Sequence, residues 1–329
     1  MFMPNTTSTI TRRSHKIGID LFLGFVFMCL SISGQTLLVG QDVSSDALNW
    51  QRTETTLSLS ANDESIWKFC WGLDASKPYF HPIAVGGKTL TWNQPADHIW
   101  HHGLWFSWKY INGVNYWELD RESGLPAGRT VWESPDVETH NDGSATIRMQ
   151  LRYQQGDDPV TVLTENREIQ VSAPSADGSF TIDWKSTFRA TIDVTLDRTP
   201  PQKNYGGYAG LSVRFAKDLT KRNAIGVAGP LKFDDGNRHR GHGKAVDYQG
   251  TIDGTPVGLA ILDHPDNPRH PTPWYIVRSG QMGYINASLL HDSPLKMNEG
   301  EQLTLRYRLI AHPERWTDGQ LRSACDQWR

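Results

Sequence analysis

The sequence predicts an all-β fold: a large antiparallel β-sandwich with one short C-terminal helix. Three observations predict it. Segments in which apolar and polar residues alternate recur from about residue 55 to residue 311. Turn signals separate many of them at the spacing usual for sandwiches. Only one stretch carries both the start signal and the period of a helix.

Taken in order, the alternation places strands at 55–60, 66–71, 104–110, 128–133, 144–153, 161–171, 179–189, 209–215, 256–262, 274–278 and 302–311. In the 144–153 segment Ala145, Ile147, Met149 and Leu151 share one face and polar groups take most of the other. Asn141-Asp142-Gly143 ahead of it is a hairpin signal, and Asp177-Gly178 is another between the 161–171 and 179–189 segments. Thr317 is placed to cap a helix running to about Gln327. No internal repeat and no Gly/Ser linker divides the chain, so residues 45–329 read as a single β-sandwich domain.

Residues 1–34 read as a signal peptide. Arg12, Arg13 and Lys16 precede the apolar run Leu21 to Leu30, and Ser31-Ile32-Ser33-Gly34 supplies small residues for cleavage. That run is too short to span a bilayer, which takes about 20 residues; an uncleaved N-terminal anchor is the alternative. The expected location is exported, periplasmic or extracellular. A net charge of −3 without charge blocks argues against nucleic acid or an anionic membrane as partner. Cleavage leaves Cys70 and Cys325, enough for one bridge or a pair of free thiols but not for a disulfide framework.

The richest stretch chemically is His98-Ile99-Trp100-His101-His102-Gly103-Leu104-Trp105-Phe106-Ser107-Trp108, which holds three of the 12 histidines and three of the 13 tryptophans. Imidazoles suit proton transfer or metal binding near neutral pH, and indoles offer broad apolar faces with one polar handle. In an extended strand His98 and His101 would point to opposite faces. Convergence therefore needs a turn, which Pro95-Ala96-Asp97 and Gly103 can frame. Acid–base work or substrate binding, a metal site on His98, His101 and His102, and histidines satisfied in a core all remain open. The H-x-x-H-H spacing matches no common zinc motif. No cofactor is expected, with a bound divalent metal as the alternative. Alternation places Leu104, Phe106 and Trp108 toward a core and leaves Trp105 on the histidine side as the stacking candidate.

Three blocks resemble a bacterial family of exported proteins of unknown function whose members are labelled PmoA-like. They are Asp97 to Phe106 with Asn112 to Trp117, Gly206 to Arg214, and Asp263 to Trp274 with Leu305 to Arg308. The methane-oxygenase label does not carry over. Such a subunit is a polytopic membrane protein, and no stretch after residue 30 is apolar enough to span. The family is similar in organisation to the galactose-mutarotase type of β-supersandwich, in which histidines and a carboxylate on one sheet face act on sugars.

The third block is stiffened by Pro265, Pro268, Pro271 and Pro273. It offers His264, Asn267, Arg269 and His270 either as ligand-binding groups or as a rigid structural corner. Glu165 and Arg167 share a strand face, where an inward pair would need partners such as a concave, wet pocket supplies; a plain solvated face is the alternative. Tyr205-Gly206-Gly207-Tyr208 suggests a close backbone approach with a tyrosine hydroxyl beside it. His239 to His242 reads as a surface loop. Together these readings imply a carbohydrate-active protein that acts on a sugar or sugar acid by proton transfer, as an epimerase, mutarotase or lyase. His98, His101, His102, Glu165 and His264 are the catalytic candidates. Trp105, Arg167, Tyr205, Asn267, Arg269, His270 and Trp274 are the substrate-binding candidates. The partner would be a small-molecule carbohydrate or glycan. Two alternatives stand: a non-catalytic glycan-binding protein, and a metal-dependent oxidase or oxygenase using the His98/His101/His102 cluster.

Overall fold

A computed structural model describes residues 48–156, 159–203 and 206–328; the expected signal peptide and Tyr205 lie outside the described residues. Two ten-stranded antiparallel sheets dominate the described residues, each a path of nine strands with one more beside it, Lys88–Thr89 against Tyr79–Val85 in the first and Gly128–Trp132 against Ala145–Gln155 in the second. Along the first, the order is Leu48–Arg52, Thr56–Ala61, Glu64–Cys70, Tyr79–Val85, Leu104–Ser107, Gly210–Phe215, Gly283–Ala287, Pro273–Arg278 and Arg238–His242. The second runs Asp136–Thr139, Ala145–Gln155, Thr161–Val171, Phe180–Ala190, Gln302–Pro313, Thr255–Asp263, Ala245–Ile252, Thr220–Gly226 and Gly229–Pro230. A small four-stranded sheet carries Tyr110–Ile111 and Val114–Asn115. The fold class is the antiparallel sandwich that the alternation predicts.

Period-two patterning explains how the sheets meet. Leu104, Phe106, Leu211, Val213, Ile276 and Ile285 from the first sheet pack into one core with Ile147, Leu151, Ile169, Phe188, Leu259 and Leu305 from the second. Each such side chain contributes roughly 1.5–3 kcal/mol by leaving water. The helix is Asp318–Gln327; Thr317 accepts from the Gln320 amide and the Gln320 side chain answers it, a complete capping box. Leu321 anchors that helix on Ile225, Ala245, Ala260 and Leu262.

Several strands carry no alternation and were not foreseen. Ala245–Ile252 and Gly283–Ala287 are buried on nearly every residue, so both of their faces are occupied and the apolar–polar rhythm is lost. The expected 104–110 strand breaks after Ser107, and Tyr110 joins the small sheet instead. His239 to His242 is not a loop: Arg238–His242 is an edge strand paired with Pro273–Arg278. Cys70 and Cys325 are free thiols. Among the described residues no helix is long and apolar enough to cross a membrane.

Candidate functional site

The same alternation that sends Leu104 and Phe106 into the sandwich core turns Trp105 the other way. Register carries this across the first sheet. Tyr79 pairs with Trp105, Trp105 with Ser212, Arg214 with Tyr284, Tyr284 with Val277, and Val277 with Arg238. Paired residues share a face, so the outward side of this sheet carries aromatic and polar residues rather than plain solvated ones. Trp105, Trp117, Tyr275, Val277 and Tyr284 pack there as a second apolar cluster, separate from the sandwich core. A cavity of about 420 Å³ opens above it, lined by His98, Trp100, His101, Trp117, Tyr208, Arg238, Tyr275, Val277, Met282 and Tyr284.

A turn brings the histidines to this cavity. The His98 amide donates to Pro95 O at 2.9 Å, the His101 amide to His98 O at 2.9 Å, and the Gln94 amide to His101 O at 2.8 Å. Gly103 closes the turn against the neighbouring strand: a Cβ there would lie 2.2 Å from Phe80 O, so no larger residue fits. The rings of His98 and His101 then stack at 4.6 Å, and His101 stacks on Tyr284 at 5.2 Å with the planes 13° apart.

Charges behind the rings set their states. His98 Nδ1 lies 2.9 Å from Asp97 Oδ2, and Arg214 Nη2 donates to both Asp97 oxygens at 2.8 and 3.0 Å. The ionised carboxylate only accepts, so His98 carries its proton on Nδ1 and keeps the Nε2 lone pair. Burial works against ionisation of Asp97, but the hydrogen bonds from His98 and Arg214 outweigh it and hold the carboxyl below its ordinary value. His101 is kept neutral, first by burial, with the charges of Arg214 and Lys77, and of His98 whenever it is protonated, acting in the same direction. Tyr208 donates to Glu118 at 2.8 Å, and its hydroxyl is held protonated by burial and by the Glu118 charge. Lys109 and Asn115 also bind Glu118. Lys77 is buried with Nζ donating to the carbonyls of Trp117 at 3.1 Å and Trp100 at 3.5 Å; desolvation brings its pKa down to about 7.

A family model described as a family of unknown function, DUF6807, matches residues 56–326. The chain belongs to that family. No curated protein matches the sequence of this DUF6807 chain. Among solved structures it is similar to a GH36 alpha-galactosidase from Geobacillus stearothermophilus, with TM-score 0.44 and 9% identity over 82% of this chain and 41% of that one. It is also similar to an alpha-galactosidase from Lactobacillus brevis, with TM-score 0.40 and 9% identity over 80% and 39%. A putative mutarotase from Salmonella typhimurium gives TM-score 0.32 and 9% identity over 80% and 96%. The DUF6807 chain thus spans about two fifths of the length of these galactosidases.

Of the residues singled out from sequence, His98 and His101 line the cavity. Tyr205 lies outside the described residues, and the other candidates are elsewhere. His102 is buried behind it, with Nδ1 2.8 Å from Asn93 Oδ1 and its ring stacked on Tyr79 at 4.3 Å. Among the described residues no three His, Cys, Asp or Glu side chains could hold a metal ion together. The proposed His98/His101/His102 ligand set does not fit one, because His102 faces away from the other two. Trp105 is wholly buried under His101 and Tyr284, so it supports the floor instead of stacking on a ligand. Trp274 belongs to the sandwich core and donates to Gly243 O.

Glu165 and Arg167 are also internal. Two guanidinium–carboxylate bonds of 2.7 and 3.0 Å join them, and Tyr153 and Ser186 each donate to Glu165 at 2.6 Å. The partners a buried pair needs come from the core itself, not from a wet pocket, so Glu165 is no base for an outside substrate.

The 263–275 block is a structural corner. Asp263 accepts from Asn267 at 2.8 Å, from His270 at 2.7 Å and from the Thr272 amide at 2.9 Å. Asn267 also binds the main chain of Arg306 on both sides. Arg269, at φ 64°, spends its guanidinium on the carbonyls of Leu289, Ser293 and Pro294. His264 Nδ1 accepts from the Asp266 amide, and the ring meets Trp328 edge-on. None of the four lines the aromatic cavity.

The residues that sequence reading missed are Asp97, Trp100, Trp117, Tyr208, Arg214, Arg238, Tyr275, Met282 and Tyr284. A signal existed for some. Asp97, Tyr208 and Arg214 stand within the family blocks, and Tyr275 alternates with the core residue Trp274. A larger groove, about 470 Å³, crosses the outer face of the second sheet. Its outward arginines are partnered there: Arg148 with Asp136, Glu138 and Glu168, and Arg152 with Glu133, while Arg167 turns inward to Glu165. It reads as a solvated charged face.

Proposed function

We propose that this DUF6807 protein is an exported carbohydrate-active protein whose aromatic cavity binds a sugar ring and whose His98 moves a proton on it. The observation that carries this reading is the Arg214–Asp97–His98 chain ending on the cavity wall. A carboxylate fixes the tautomer and orientation of one imidazole, which is the arrangement a general base requires. Trp100, Trp117 and Tyr275 supply flat apolar faces for the C–H side of a sugar, and Tyr208, its proton donated to Glu118, offers its oxygen as an acceptor. Epimerisation, mutarotation and elimination all need one group to take a proton and another to give one; His98 is the base in place, while Tyr208, whose proton is held by Glu118, positions the ligand through its oxygen. The test is proton exchange spectroscopy on a sugar and sugar-acid panel with wild-type protein and His98→Ala. Exchange at one sugar position that disappears in the variant supports the assignment. Equal exchange in both removes His98 from the chemistry.

A second reading, a glycan-binding protein without turnover, is favoured by one feature: no carboxylate is among the residues lining the cavity. It expects saturable binding that survives His98→Ala and falls sharply in Trp117→Ala.

A further inference from the structure

We infer that His101 is the second catalytic group of the cavity: an uncharged imidazole that donates its Nε2–H to a carbonyl oxygen of the sugar while His98 takes the proton from the neighbouring carbon. This rests on the proton-transfer reading above and narrows it to one substrate class, a sugar that presents a carbonyl beside the carbon that loses its hydrogen.

His101 is held more firmly than any surface histidine. It lines the cavity yet is only 4% exposed. Its ring stacks on His98 at 4.6 Å and on Tyr284 at 5.2 Å, with Trp105 at 5.0 Å and the edges of Trp100 and Trp117 at 6.3 and 6.4 Å. Tyr284 is itself fixed, its hydroxyl 3.1 Å from Ser212 Oγ, which also accepts from Asn286 Nδ2 at 2.9 Å. A ring clamped in this way is oriented before a ligand arrives and loses nothing in reorienting.

Buried polar groups ordinarily have a hydrogen-bond partner. His101 Nδ1 is shut off from solvent and has none. A neutral imidazole carries one N–H and one lone pair. A proton on Nδ1 would be sealed from every acceptor, at the cost of a buried donor left unpaired. The proton therefore belongs on Nε2, the one ring nitrogen left to meet the cavity. Burial opposes a charged ring here, so His101 offers a hydrogen bond and not the proton of an imidazolium. His98 is its complement. Asp97 holds the His98 proton on Nδ1 and leaves a lone pair on Nε2. Two stacked rings thus bring a base and a neutral donor to one wall.

The surroundings decide which charge such a pair can serve. No Asp or Glu lines the cavity, and Tyr208 gives its proton to Glu118. A positive, oxocarbenium-like transition state, as in glycoside cleavage, calls for a carboxylate against it. A fixed neutral donor next to a base suits the opposite charge, an oxyanion. In the step, the C–H bond beside the carbonyl breaks and its proton goes to His98 Nε2. The electron pair of that bond becomes a C=C bond, and the carbonyl π pair moves onto oxygen, where the His101 N–H holds the enolate. Return of the proton from His98 to carbon restores both neutral rings.

The experiment follows deuterium uptake from heavy water by NMR. The probes are fructose and methyl glucoside oxidised to a ketone at one ring hydroxyl, set against methyl glucoside itself, which has no carbonyl. The expected result is catalysed exchange at a carbon next to the carbonyl and none on methyl glucoside. His101→Phe, which keeps the stack and has no N–H, should slow exchange by about 10²–10³-fold, the usual worth of one oxyanion donor. The loss should fall on kcat and not on KM, because the oxyanion exists only past the ground state. His101→Gln, which restores a neutral N–H donor, should recover part of the rate. Nitrogen NMR of the ligand-free wild type at neutral pH, with His101→Phe identifying the signal, should show a neutral ring protonated on Nε2. A ring protonated on Nδ1, or charged, overturns the inference. Exchange lost in His98→Ala but unchanged in His101→Phe overturns it and leaves the His98 reading standing. Exchange on methyl glucoside as fast as on its ketone overturns the carbonyl assignment. No catalysed exchange on any probe overturns the proton-transfer reading together with this inference.

Discussion

Two aspartate–histidine pairs in this molecule look alike as chemistry and differ in everything around them. Asp97 and His98 meet at 2.9 Å, Asp263 and His270 at 2.7 Å. Asp263 is wholly buried, and all its acceptors are spent on one loop: a side-chain amide, an imidazole and a main-chain N–H. Asp97 is 43% exposed and joins a buried arginine to a histidine that is itself 35% exposed on a cavity wall. The first pair holds a turn together; the second holds a ring toward a ligand space. A dyad is therefore not a site by its residue types. What decides is whether the carboxylate is saturated by its own loop or braced from behind while the imidazole reaches open space.

The sharpest way to break the comparison is to remove both histidines in parallel. His98→Ala should lower turnover by about 10²–10⁴-fold, the usual worth of a positioned acid or base. It should change stability by no more than about 0.5 kcal/mol, as expected for a partly exposed residue. His270→Ala should do the reverse: no change in ligand binding or turnover, and a measurable drop in the urea midpoint. If His270→Ala abolishes turnover in a folded protein, the division between the two pairs is wrong.

Next in size is the carboxylate of the structural pair. Asp263→Ala strands three donors in a buried corner, the Asn267 amide, the His270 Nδ1–H and the Thr272 N–H. A loss of about 3 kcal/mol in unfolding free energy is expected, since each unsatisfied buried group costs roughly 1–3 kcal/mol and the loop relaxes in part. Sugar binding by the surviving folded fraction should equal that of the wild type. A stability change under about 1 kcal/mol would show that the corner is not held by Asp263.

The sequence told the two regions apart poorly, for physical reasons. Alternation exposes which residues share a face, so Leu104, Phe106 and Trp108 were correctly sent to the core, and the capped helix at Thr317 was legible from its own local chemistry. Alternation does not say what covers a face. Alternation leaves Trp105 and the Glu165–Arg167 pair open to a ligand, because a second layer over one and two polar donors inside the other cannot be seen along the chain. Arg238, Tyr275 and Tyr284 come together only through sheet register between strands far apart in sequence. The prolines at 265–273 did signal rigidity, and rigidity belongs to both a binding loop and a corner; the hydrogen-bond partners, which are tertiary, separate the two.

The effect that reaches the site without a ligand is the pH dependence of stability. His101 and His102 are held neutral well below the ordinary histidine value of 6.5, each first by burial and then by neighbouring positive charge. Burial also brings His81 down to about 4. In the unfolded chain all three take up a proton as pH falls through 6.5 while the folded chain resists it, so their contribution is complete above 6.5 and is lost on acidification. Each then contributes a slope of about 1.4 kcal/mol per pH unit below that value. Burial raises Asp263, and a raised carboxyl acts in the opposite sense, adding stability on acidification in the range just above 3.8. Urea unfolding followed between neutral pH and about 5 should show stability declining with pH, and His102→Gln should remove about one histidine's share of the slope. His102 is the sharper choice of the two, because it carries the same burial as His101 but lies off the cavity wall. A slope unchanged in His102→Gln would mean that the imidazole is charged in the folded protein and that burial does not hold it neutral.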